Sequence, residues 1–191
     1  MNNKTKKILI LNGSLGGSNG NTSVLIETAL KYLKKHDVEI DIFHLENNPN
    51  NIKNKLAWAD AFVFTSGTYW DSWGSPMQYF LETSTQYEAS DLFLFKPASV
   101  MISMHSVGGK GVLSRLQGVL NTMGLSIPPM SGFVYSLATH LSLESNNEFH
   151  DDFWSLTDIE IIIHNLITAV KHEHDFKAWP VDRKDPGRRW L

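Results

Sequence analysis

At 191 residues, 42% hydrophobic and 19% charged, the chain suits one domain with a sizeable core and is too apolar to be disordered. Cysteine is absent, which excludes a disulfide framework, a thiolate zinc site, an iron–sulfur cluster and a cysteine nucleophile. A net charge of −3 argues against nucleic acid as the main ligand, and the lack of any apolar run near ~20 residues argues against a membrane span. Residues 1–7 lead straight into the first apolar run without the core or cleavage site of a signal peptide, so a cytoplasmic protein is expected.

Ile8, Leu9, Ile10 and Leu11 read as a strand buried on both faces. A loop of glycine and hydroxyl residues follows, from Asn12 to Ser23, and Val24, Leu25, Ile26, Leu30 and Leu33 then recur at helical spacing. Strand, small-residue loop and helix start make a phosphate cradle. The first N–H groups of a helix lack internal partners, and the helix dipole puts positive charge there. No lysine lies between Lys7 and Lys31, so this is no Walker loop. Gly13, Gly16, Gly17 and Gly20 also miss the dinucleotide Gly-x-Gly-x-x-Gly spacing. A cradle of hydroxyls and backbone suits a phosphomonoester such as that of FMN, while the alternative is an ordinary glycine-rich turn with an Asn or Thr cap.

Residues 38–45 alternate apolar and polar, as in a strand with one covered face. Residues 47–51 form a loop and residues 52–59 a short helix. Residues 61–65 are a second buried strand, followed by a loop over 66–75 and a helix that can begin at Pro76. Residues 98–104 are another strand and Val112 to Met123 a helix that Gly124 can end. Residues 131–135 form the last strand and residues 137–154 a loop. Thr157 and Glu160 offer a capping box for a helix whose apolar face runs from Ile159 to Val170.

Strands alternating with helices imply an α/β fold with a parallel sheet. The count fits a flavodoxin-like doubly wound five-stranded parallel sheet in the order 2-1-3-4-5, with helices on both faces. A single domain spans residues 1–191, with its core at about 7–174 and a C-terminal tail at 175–191. Ligands of such sheets bind beyond the carboxyl ends of the strands, at the switch point. The loops leaving strands 1, 3 and 4 are the richest in small polar and aromatic residues.

The loop after strand 3 holds Thr68, Tyr69, Trp70, Asp71 and Trp73. So much aromatic surface on a loop suits a flat hydrophobic ligand, or packing against its own domain or a partner subunit. Gly108 and Gly109, after strand 4, let backbone N–H groups reach a planar ligand's polar edge, or simply turn the chain. Lys110 and Arg115 read as solvated cations, with contact to nicotinamide cofactor phosphates as the alternative. Glu148, Asp151 and Asp152 read as a solvated acidic loop. His172 and His174, two apart on a helix, point away from each other and cannot chelate together.

Gly13-Ser14, then Gly20-Asn21-Thr22, then Thr68-Tyr69-Trp70 through Phe80-Leu81-Glu82, then Gly108-Gly109 form an ordered set over about residues 7–136. In this the chain resembles the flavodoxin-like NAD(P)H-dependent FMN reductases and quinone reductases. The resemblance implies that Ser14, Ser18, Asn21 and Thr22 hold the FMN phosphate. Thr68 belongs to the same second-loop motif, Tyr69, Trp70 and Asp71 line the isoalloxazine, and Gly108 and Gly109 meet its polar edge. It also implies hydride transfer from NAD(P)H as co-substrate, through FMN, to a small-molecule electron acceptor: a quinone, a nitro or azo compound, or free flavin. No acid–base catalytic residue is required. Trp73 and the 137–154 loop are candidates for shaping acceptor choice. The aromatic loop and the tail point to a homodimer, with no nucleic acid or membrane partner. Two departures stand out: Leu15-Gly16-Gly17 where many relatives place an arginine, and Gly67-Thr68 where many have a proline. Two other functions carry the same fold. One is a flavodoxin-type electron carrier, which a charge of −3 disfavours because such carriers dock electrostatically. The other is a binding or regulatory module that has lost FMN.

Overall fold

Five parallel strands form one sheet in the order β2-β1-β3-β4-β5. They are β1 (Lys6–Asn12), β2 (Val38–His44), β3 (Ala61–Gly67), β4 (Ala98–Met104) and β5 (Gly132–Ser136). The computed structural model describes residues 5–47, 52–144, 154–172 and 175–181. His174, the acidic loop of Glu148, Asp151 and Asp152, the 48–51 segment and the end of the tail lie outside the described residues.

The central strands are buried on both faces because both faces are covered by helices. The twofold alternation of a strand sends Leu9 and Leu11 to one core and Ile8 and Ile10 to the other. On the first face lie α2 (Ile52–Trp58), α3 (Ser75–Ser84) and α4 (Gly109–Thr122). They seat Leu56, Phe80 and Leu116 against Phe62, Phe64 and Val100. On the second face lie α1 (Ser23–Leu33) and α6 (Ile159–Lys171), whose Leu25 and Ile163 meet Val63 and Met101. β2 is an edge strand and only half buried. Its Ile40 and Ile42 pack inward, and Asp41 on the other side pairs with Lys55. The chain runs from β1 out to β2 and back to β3 on the other side of β1, so the switch point lies between β1 and β3.

Two local expectations are corrected. Residues 137–154 were expected as a loop, but Leu137–Leu143 form a short helix, α5. The Ser136 hydroxyl at the end of β5 caps it, accepting from Thr139 N at 3.2 Å. The capping box before α6 is not Thr157 with Glu160. It is Ser155 with Asp158, whose carboxylate accepts from Ser155 N at 2.7 Å and opens a 3₁₀ turn leading into the helix. Glu160 instead bonds Lys35 of α1 at 2.8 Å. Among the described residues, no helix is long and apolar enough to cross a membrane.

Candidate functional site

The first loop is organised by Asn12, the fully buried last residue of β1. Its Oδ1 accepts from Ser14 N (3.1 Å), Thr22 Oγ1 (3.2 Å) and Thr65 Oγ1 (3.3 Å). Its Nδ2 donates to Gly17 O (2.8 Å) and lies 3.1 Å from His44 Nδ1. An amide nitrogen only donates, so His44 Nδ1 is the acceptor in this contact. One side chain thus ties the loop to β2, β3 and the start of α1. Gly13 N adds a bond to Thr65 O at 2.8 Å. Among the described residues, the amides of Gly16, Asn21 and Val24 donate to no protein acceptor. The helix start therefore presents free N–H groups, as an anion site requires.

The second loop leaves β3 through Thr68, whose amide bonds Ser103 O at 2.8 Å. Tyr69 and Ser72 then close a two-residue hairpin, exchanging N–H···O bonds of 2.8 and 3.0 Å. Its tip residues, Trp70 (φ 48°) and Asp71 (φ 58°), are both left-handed. That turn normally takes Asn-Gly, and each non-glycine residue there costs about 1–2 kcal/mol. Trp70 is fully exposed. Arg115 of α4 reaches the tip: Nη2 donates to Asp71 O, Nε donates to Gly111 O (3.4 Å), and the guanidinium lies 5.5 Å from the centre of the Trp73 ring. Arg115 is thus an exposed cation, as expected, that also ties α4 to the hairpin tip. Trp73 Nε1 in turn donates to Gln78 Oε1 at 2.8 Å.

The third loop turns at Gly108, the left-handed N-cap of α4 (φ 86°). The Asp71 carboxylate fills the space a Cβ there would take, which packs the second and third loops together. Gly109 is buried against Val134 and Met104, and its amide donates to Met104 Sδ at 3.3 Å.

Between the loops, at the carboxyl ends of the strands, lies a cleft of about 590 Å³, within the usual range for a small-molecule site. Ser14, Asn21, Thr68 and Tyr69, all named from the sequence, line it. Ser18, Thr22, Trp70, Asp71, Gly108 and Gly109 do not. Thr22 instead spends its hydroxyl on Asn12, and Trp70 and Asp71 stand at the hairpin tip. Ser23, Ser103, His105, Tyr135 and Leu137 line the cleft without having been singled out as binding residues. Thr68 Oγ1 is buried and, among the described residues, has no hydrogen-bond partner. Burial raises the Tyr135 phenol above its ordinary pKa, with Glu144 adding to the shift, so the group stays a hydrogen-bond donor through neutral pH. No lysine or arginine is among the described residues lining the cleft.

The strand order and a cleft at the switch-point edge define a flavodoxin-like α/β protein. Residues 6–140 match the family model described as NADPH-dependent FMN reductase, and the chain belongs to that family. No curated protein matches the sequence. Among solved structures, RosB with a bound 8-demethyl-8-formylriboflavin-5′-phosphate intermediate superposes with a TM-score of 0.66 at 16% identity, over 98% of this chain and 95% of that one. The apo form of the NADH:FMN oxidoreductase EMOB gives 0.62 at 20% identity, over 84% and 89%. A flavodoxin from the domain Archaea gives 0.62 at 15%, over 87% and 99%. At these identities the structures speak to the fold.

Proposed function

We propose that the protein binds FMN in this cleft and uses it to pass hydride from NAD(P)H to a small acceptor such as a quinone, a nitro or azo compound, or flavin. The observation that carries the reading is the first loop: free amides at Gly16, Asn21 and Val24 beside the Ser14 and Ser23 hydroxyls, at the start of α1. These groups suit a phosphomonoester, and the unpartnered Thr68 hydroxyl suits a polar group further along the same ligand. Bound FMN supplies the hydride-accepting ring; the protein supplies binding, orientation and control of charge around it. In this reading Ser14 and Asn21 hold the phosphate with Ser18 and Thr22 behind them. Tyr69 packs beside the ring system, and Trp70, Asp71, Gly108 and Gly109 form its rim. We also propose a cytoplasmic homodimer in which Val107, exposed at the tip of the third loop, faces the second copy.

An anaerobic absorption spectrum, taken after adding FMN and then NAD(P)H, tests the function. Perturbed flavin bands near ~450 nm that bleach with the nicotinamide and return with a quinone support it. Binding without bleaching leaves the electron-carrier function. Failure to take up FMN leaves a non-redox binding module.

A further inference from the structure

The 69–72 hairpin is in a conformation its own sequence does not favour. Two successive non-glycine residues, Trp70 and Asp71, are left-handed, and asparagine or aspartate tolerates that region far better than tryptophan does. The Trp70 side chain is fully exposed, so no packing of its own offsets the strain. The compensation comes from α4. Arg115 donates to the Asp71 carbonyl, is oriented by Gly111 O, and lies over Trp73, which is itself fixed by Gln78. The Asp71 carboxylate is lodged against Gly108 at the start of the same helix.

We infer that Arg115 is a positioning residue that latches this hairpin, so that Trp70 stands presented beside the cleft before any ligand arrives. Strain held by outside contacts at a loop tip is characteristic of functional sites, and preorganisation removes an ordering cost from binding. Arginine suits the role because its planar fork donates in two directions while its face stacks on an aromatic ring. The role of Trp70 in acceptor recognition rests on the flavin reading; the latch itself does not.

The test is amide hydrogen exchange on FMN-free full-length protein, alongside steady-state kinetics of the FMN-loaded enzyme. R115A is expected to speed exchange of the Tyr69 and Ser72 amides by about tenfold or more while the β3 amides keep their protection. It is expected to raise the acceptor KM with little change in kcat. Adding W70N, which places at the tip a residue that tolerates the left-handed region and leaves the Asp71 contact with Gly108 in place, is expected to restore much of the lost protection in the R115A background. The inference is overturned by unchanged exchange at Tyr69 and Ser72 in R115A, by acceleration spread equally over β3 and α4, or by failure of W70N to restore protection. If no flavin binds but R115A loosens the hairpin alone, the latch stands and the flavin function falls.

Discussion

The phenol oxygen of Tyr69 lies 3.3 Å from Ser14 Oγ and accepts the Leu15 amide hydrogen at 3.2 Å. Residues 55 apart in the chain thus fasten the second loop to the first, directly across the switch point. The aromatic expected to sit beside a flat ring is also a structural part of the first loop. Tyr69→Phe keeps the ring and removes the hydroxyl. The expected cost is about 0.5–1.5 kcal/mol of loop order, read as a several-fold weaker FMN affinity in a fluorescence titration with the melting temperature nearly unchanged. An unaltered affinity would show that the fastening is unimportant.

Asn12 carries more of the loop. Asn12→Ala orphans the Ser14 amide and the Thr22 hydroxyl in a buried place, and takes one of two partners from the Thr65 hydroxyl, which keeps Leu11 O, and from the Gly17 carbonyl, which keeps Gly20 N. Each orphaned group costs about 1–3 kcal/mol, reduced where water enters. A loss of about 3 kcal/mol or more in urea unfolding is expected, together with loss of FMN binding. Asn12→Asp keeps the acceptor oxygen but sets a carboxylate against the Gly17 carbonyl, and is expected to fare little better. A near-neutral Asn12→Ala would refute the organising role.

These two residues also mark where the sequence was readable. β1, β3 and β4 stood out because central parallel strands are continuous apolar runs, and the helices because their apolar residues recur on one face. The order of the strands followed from the alternation of elements. Asn12 did not stand out, because its partners His44 and Thr65 are 32 and 53 residues away and come together only in the sheet. Arg115 looked like any surface cation, since its acceptor is a backbone carbonyl 44 residues distant. α5 was missed because seven residues with two exposed leucines, Leu137 and Leu141, carry too short a period to distinguish from a loop. The capping-box error was one of register, two residues, between neighbouring Ser/Thr–acid pairs.

Gly74, the N-cap of α3, has an ordinary extended backbone, so its requirement is purely one of space. A Cβ there would fall 2.6 Å from Gly13 O, a backbone atom of the first loop that cannot swing aside. Gly74→Ala is expected to cost about 1–3 kcal/mol and to open the junction between the first loop and α3. Chemical denaturation measures the first effect and FMN titration the second. Full retention of both would mean the loops yield more easily than their hydrogen bonds imply.

His36, in the turn after α1, has its pKa lowered below the ordinary 6.5, first by burial and then by Lys171, His164 and Lys35. The folded state therefore takes up this proton less readily than the unfolded chain. Stability contributed by the neutral ring is present above about pH 6.5 and declines as pH falls from there through the lower folded-state value. The ring is only partly buried, so solvent screening keeps the effect small. His36→Gln is expected to flatten the fall in melting temperature between about pH 7.5 and 5 relative to the parent. Identical slopes would remove His36 from the acid response.

Trp70 separates stability from function. Its side chain touches solvent, so Trp70→Ala is expected to change unfolding free energy by no more than about 0.5 kcal/mol. If the presented ring recognises the acceptor, the same change lowers acceptor kcat/KM by about tenfold or alters the ranking of quinone against nitro and azo compounds. FMN affinity should shift less than in Tyr69→Phe, because Tyr69 lines the cleft and Trp70 does not. Stopped-flow half-reactions divide the effect. A slowed oxidation of reduced enzyme with an unchanged reduction by NAD(P)H assigns Trp70 to the acceptor, whereas equal rates in both halves would leave the strained hairpin without a part in turnover.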